Sequence, residues 1–218
     1  MSDACRLLHE RLTQLTRLGA DFSPDDVPLN GVYVMFERGE RAHGTDRIVR
    51  VGTHSGGGNL RQRLSEHYRK TNKDRSIFLK HLGRCLLAGR DDPFLEQWEI
   101  DLTTRAARER YTGEIDHDHL QRVEQEVSDY LTRSFTFVAL PVVEKSDRSA
   151  VEHGLLATVA SCGDCHPSDQ WLGRNHPNAT VRQVGLWNVQ GLKGHPFTTD
   201  DIDDLVNRCS GSISHPPK

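Results

Sequence analysis

The sequence is poor in apolar and aromatic residues. They make up 35% and 6% of its 218 positions, and no apolar run approaches the length of a membrane span, so no membrane insertion is expected. The first residues, MSDACRLLHERL, lack the apolar core of a secretion signal, which makes the cytoplasm the expected compartment. Five cysteines in that setting are expected to be reduced thiols. A strong charge of either sign is missing too: the net charge of −3 neither selects nor excludes nucleic acid. Internal repeats and low-complexity segments are absent, which leaves one sizeable domain, or a small domain with additions.

What is present is concentrated in residues 31–68, GVYVMFERGERAHGTDRIVRVGTHSGGGNLRQRLSEHY. Val32, Val34 and Phe36 alternate as in a half-buried strand. Residues 39–46 are polar with two glycines and read as a hairpin loop. Ile48, Val49 and Val51 form a second strand, antiparallel to the first. After glycines 56–58, Asn59 is expected to cap a helix buried through Leu60 and Leu64. Arg63 and His67 are four apart and share a face of that helix. Residues 59–90 hold nine Lys and Arg against Glu66 and Asp74 alone. This local excess makes Arg61, Arg69, Lys70, Lys80, His81 and Arg84 candidate DNA contacts, beside the plainer reading of a solvated face.

Elsewhere the patterns are simpler. Leucines at helical spacing predict a helix over residues 4–18. Residues 76–87 predict another, and residues 105–126, charged with both signs, predict helix and loop. FTFVALPVV, residues 135–143, is the third strand. Asp147 or Ser146 is expected to cap a helix over residues 149–160 that carries Glu152 among apolar residues, one turn after Arg148. A surface Arg148–Glu152 pair is the structural alternative for that glutamate. Cys162-Gly-Asp-Cys165-His166 is half a zinc site at best, with His176 or Cys209 as further ligands. Free cysteines in a polar loop are expected there, and zinc at Cys162/Cys165 is not. Trp171 and Trp187 are expected as core anchors. A last helix over residues 198–209 leads to a loose tail over 211–218.

The order of strand, strand, glycine loop and Arg-x-x-x-His helix resembles the GIY-YIG nuclease superfamily. Gly31-Val32-Tyr33 is similar to its first tripeptide with one conservative change, Arg50-Val51-Gly52 stands in place of the second, and Arg63 and His67 correspond to the arginine and histidine of the following helix. Arg50 departs from the pattern, because the family has there a tyrosine that helps activate the attacking water. The resemblance implies an α+β fold: a small, mainly antiparallel three-stranded sheet flanked by helices. The catalytic domain would span residues 30–190 with an insertion around 91–133, between an N-terminal helix and connector (1–29) and a C-terminal helix and tail (191–218). It also implies a metal-dependent endonuclease acting on DNA, most simply double-stranded, through one Mg²⁺ or Mn²⁺ held by Glu152. Arg63 would clamp the phosphate, Tyr33 and His67 would orient and deprotonate water, and Asn188 (or else Asn175) would close the site. Arg50 would activate Tyr33 or act as a second phosphate clamp. The alternative function is an inactive nucleic-acid-binding module on the same fold.

Overall fold

A computed structural model describes residues 2–211. In chain order its regular elements are α1 (Ser2–Thr13), β1 (Gly31–Ala42), β2 (Thr45–Gly52), α2 (Leu60–Arg69), α3 (Ile77–Ala88), α4 (Leu95–Trp98), α5 (Arg105–Tyr111), α6 (His117–Ser134), β3 (Phe135–Pro141), α7 (Lys145–Ala160), α8 (Ala179–Val184) and α9 (Thr199–Gly211). Of the expected tail, residues 211–218, Gly211 ends α9 and residues 212–218 lie outside the described residues. No helix among the described residues is long and apolar enough to cross a membrane.

The three strands form one antiparallel sheet in the order β2-β1-β3. This is the expected α+β arrangement, but β1 is not half-buried. Its first seven residues are all buried, because helices cover both faces of the sheet. Tyr33 and Met35 join α2, α3 and α6 in one core, with Phe78, Trp98, Val127 and Leu131. Val32, Val34 and Phe36 join α1, α7 and α9 in the other, with Leu8, Leu155 and Ile202. A strand packed on both faces reads as a continuous apolar run, which VYVMF is. The 91–133 segment contributes Val123 and Val127 of α6 to the first core, so it is more than a surface addition.

The hairpin is longer and tighter than its polar sequence suggests. β1 runs on to Ala42, and only His43 and Gly44 make the turn, with φ of 52° and 77°. Two positive φ values match the strand twist at a two-residue turn. The charged residues 37–41 alternate between exposed and buried positions around an irregularity in the pairing between Phe36 and Arg41. Buried Glu40 meets buried Arg47 of β2 there. Polarity suggested a loop, but in a twisted hairpin these side chains have partners to face.

Candidate active site

The outer edge of β2 is where the site residues gather. Trp187 donates its backbone N–H to Val49 O (2.8 Å). The Asn188 side chain then pairs with Val51 at both ends, Nδ2 donating to Val51 O (2.8 Å) and Oδ1 accepting from Val51 N (3.2 Å). Asn188 thus substitutes for a strand on an otherwise open edge. Asn175, the second choice, packs against Gly89 at the end of α3 instead.

Two depressions flank this edge. One, of about 420 Å³, is lined by Thr53, His54, Ser55, Asn59, Gln62, Arg63 and Glu66. The other, of about 260 Å³, is lined by residues that include Arg50, His81, Glu152, His153 and Asn188. Arg63 and Glu152 therefore line different depressions, and Tyr33 lines neither, so the structure does not bring the three into one pocket. The fields of Arg50 and Arg63 both reach Glu152 and His67.

Glu152 is half-buried on α7. It makes no hydrogen bond or ion pair with any of the described residues. Burial raises its carboxyl above the ordinary range, partly offset by Arg50, His153 and Arg63. The Arg148–Glu152 pair that their spacing allows does not form. Buried Arg148 donates instead to Val143 O and to Gly56 O (3.0 Å), and so ties α7 to the glycine loop. An unpartnered, partly desolvated carboxylate is a fitting donor for a hard divalent cation. Two capping expectations change here. Glu144, not Asp147 or Ser146, holds the position before α7, without a side-chain cap, and Asn59 precedes α2 without capping it, its Nδ2 donating to Ser55 O (2.9 Å).

Tyr33 and His67 are in contact but enclosed. The Tyr33 hydroxyl lies 2.9 Å from His67 Nε2, and His67 Nδ1 lies 2.8 Å from Ser76 Oγ. Ser76 also caps α3 by accepting from Leu79 N. Tyr33 and His67 are only 0% and 1% exposed, and neither lines either depression. Burial, with Arg63 and Arg50 nearby, holds the His67 imidazole well below its usual pKa. It is neutral and a weak base, suited to orienting Tyr33. Arg50 is not poised on the tyrosine hydroxyl: its Nη1 donates to Trp187 O (2.9 Å), its guanidinium stacks on Phe78 and its buried Nε has no partner among the described residues.

Gly52, opposite Tyr33 in the sheet, explains the second tripeptide's glycine. A Cβ there would sit 2.4 Å from the Tyr33 hydroxyl. Gly52→Ala is expected to push Tyr33 off His67 at a cost of about 1–3 kcal/mol for overpacking. Thermal melts and a plasmid-nicking assay read the two effects separately. A folded variant that nicks at the wild-type rate would remove the Tyr33–His67 contact from any catalytic role.

Most of the basic stretch is engaged internally. Arg61 donates to Val27 O and pairs with Asp25. Arg69 donates to Phe22 O and stacks on its ring. Arg84 and Lys80 converge on Glu99. His81 is buried, 2.7 Å from His176 Nε2, and burial pushes the pair down to about 3 and about 4. Of the six expected DNA contacts, Lys70 alone is exposed without a hydrogen bond or ion pair among the described residues. Sequence reasoning passed over Ser76 as a partner of His67, and His54, which accepts from Gly31 N (3.3 Å), lines the same depression as Arg63 and has no partner for its buried Nδ1 among the described residues. The only signal for His54 is its place just after the second tripeptide.

Cys162 and Cys165 are free and lie in the loop after α7, as expected, but they are not on its surface. Both are buried, and they meet Cys5, His9 and His43 rather than His176 or Cys209. Trp171 and Trp187 are core anchors as expected, and both indoles donate to the buried carboxylate of Glu37 (2.8 and 2.9 Å).

No curated protein and no solved structure matches the chain. The family model of the GIY-YIG domain matches residues 3–211, which takes in both terminal helices as well as the sheet. With nearly the whole chain covered, this protein belongs to the GIY-YIG domain family, a family of nuclease type.

Proposed function

We propose that the chain is a divalent-metal-dependent endonuclease that hydrolyses phosphodiester bonds in double-stranded DNA, in the cytoplasm. The observation that carries this reading is Glu152, a half-buried carboxylate without a partner among the described residues, under the fields of two arginines. Glu152 would hold one Mg²⁺ or Mn²⁺, which supplies Lewis-acid stabilisation of charge on the phosphate and the departing oxygen. Arg63 keeps donors for the non-bridging oxygens, since among the described residues its polar contacts are limited to Arg75 O (3.2 Å) and Glu66 (3.7 Å). Exposed Lys70 and Arg75 extend that positive edge along the backbone of the duplex. Asn188 fixes the β2 edge, and with it Arg50, against Glu152. His67 orients the enclosed Tyr33 through the 2.9 Å contact with its hydroxyl.

The second reading, a DNA-binding module without catalysis, is favoured by the use of Arg50 as a packing residue and by the enclosure of Tyr33. Supercoiled plasmid incubated with Mg²⁺ or Mn²⁺ separates the two. Nicked or linear product that chelation suppresses is the expected result. Arg63→Ala is expected to lower the rate about a hundredfold or more, the scale of one charge-stabilising donor, and to leave the melting temperature nearly unchanged. Binding without cleavage under either metal would select the module.

A further inference from the structure

The cysteines and histidines of the second core form a cluster that the proposed reaction does not use. Cys5 and His9 lie one turn apart on α1, His43 is at the hairpin tip, and Cys162 and Cys165 follow α7. The ligand atoms of Cys5, His9, His43 and Cys165 all lie within 4.8 Å of one another. Cys162 Sγ is 3.5 Å from His43 Nε2, and both Cys162 and Cys165 are within interaction range of the Cys5 thiol. A tetrahedral Zn²⁺ with its usual bond lengths sets thiolate and imidazole donors roughly 3.3–3.8 Å apart. The 3.5 Å contact is therefore the length of one edge of such a tetrahedron.

His9 is distinguished from the other four by its hydrogen bonds. Its Nδ1 is 2.8 Å from Cys5 O, and its Nε2 accepts from Ile48 N (3.1 Å). With one nitrogen donating and the lone pair of the other taken by an amide, its ring has none left for a metal. We infer that Cys5, His43, Cys162 and Cys165 bind one Zn²⁺ as a structural site, with His9 bracing α1 against β2 beside it. Three thiolates and one imidazole select a soft to borderline tetrahedral cation. The cysteines are at most 6% exposed, and four protein ligands leave no position for substrate, so the ion is structural. It would join three segments distant in sequence: the first helix, the hairpin tip and the chain that continues to Trp187 and Asn188. Binding releases the thiol protons, so affinity falls at low pH.

The test is elemental analysis of the full chain purified without added metal, together with cobalt substitution. One equivalent of zinc per chain is expected. A mercurial reagent should release it and lower the melting temperature, and Zn²⁺ should restore it. The cobalt-loaded chain should absorb as a tetrahedral complex with thiolate charge transfer. Cys5→Ser and Cys165→Ser should cut bound zinc to about a tenth or less at limiting metal. Cys85→Ser and His9→Gln should retain it. A metal-free chain whose melting temperature does not respond to Zn²⁺ would overturn the site without recourse to any variant. Zinc retained in Cys162→Ser but lost in His9→Gln would overturn the ligand set. None of these readings depends on DNA cleavage.

Discussion

Glu152→Gln is expected to abolish metal-dependent plasmid cleavage while the chain stays folded and continues to bind DNA. The substitution keeps the size of the side chain and removes the charge that, on the proposed reading, would hold the cation. Losing a Lewis acid costs several kcal/mol of transition-state stabilisation, so the rate should drop by about a hundredfold at the least. The fold should not suffer, because the carboxylate has no partner among the described residues and burial works against its charge. A carboxyl raised in the folded state opposes folding once it ionises, and that penalty grows as pH rises through the ordinary carboxylate range. A neutral amide avoids it, so the variant should melt at or slightly above the wild-type temperature near neutral pH. DNA binding should be unchanged or tighter, since the proposed site would lose a negative charge opposite the phosphate. Undiminished cleavage would remove the metal site from the proposal. A clear loss of stability would make Glu152 a structural residue.

Arg47→Met should cost about 3–5 kcal/mol, the range for removing one partner of a buried ion pair. Arg47 is fully buried. Its Nε and Nη2 both donate to Glu40 Oε2 (2.9 and 2.7 Å), and its Nη1 donates to Gly185 O (2.5 Å). Glu40 in turn accepts from Ser168 N and Oγ. Methionine fills similar space but leaves the carboxylate charged and short of donors. The loss is a large share of the roughly 5–15 kcal/mol that stabilises an ordinary domain. Chemical denaturation measures it, and Arg47→Met/Glu40→Gln should recover part of it by removing the orphaned charge. A cost under about 1 kcal/mol would mean that the pair is solvated in solution. Because the same contacts dock the segment that carries Trp187 and Asn188, cleavage should weaken in step with stability.

The strand, hairpin and helix of residues 31–69 were legible in sequence because their determinants are local. Alternation along VYVMF and RIVRV, the glycines before α2, and the four-residue spacing of Arg63 and His67 each depend on neighbours within a few positions. The three strands and the helix carrying Glu152 were found on the same grounds. Tertiary structure decided which side chains were already taken. Arg61, Lys80 and Arg84 read as a free basic face, yet their partners are Val27 O, Asp25 and Glu99, all of which lie outside the run. Arg148 and Glu152 have the spacing of a surface pair. Packing of α7 buried the arginine instead, and a buried guanidinium must satisfy its donors on whatever carbonyls it meets, here Val143 and Gly56. That left the glutamate without a partner among the described residues, in the depression it shares with Arg50 and Asn188. Likewise Cys162 and Cys165 show a spacing and nothing more until the fold brings α1 and the hairpin tip against them. Local periodicity fixes which face a residue occupies. The register between segments a hundred residues apart fixes what that face meets, and hydrogen bonding, ion pairing and metal ligation all depend on the second.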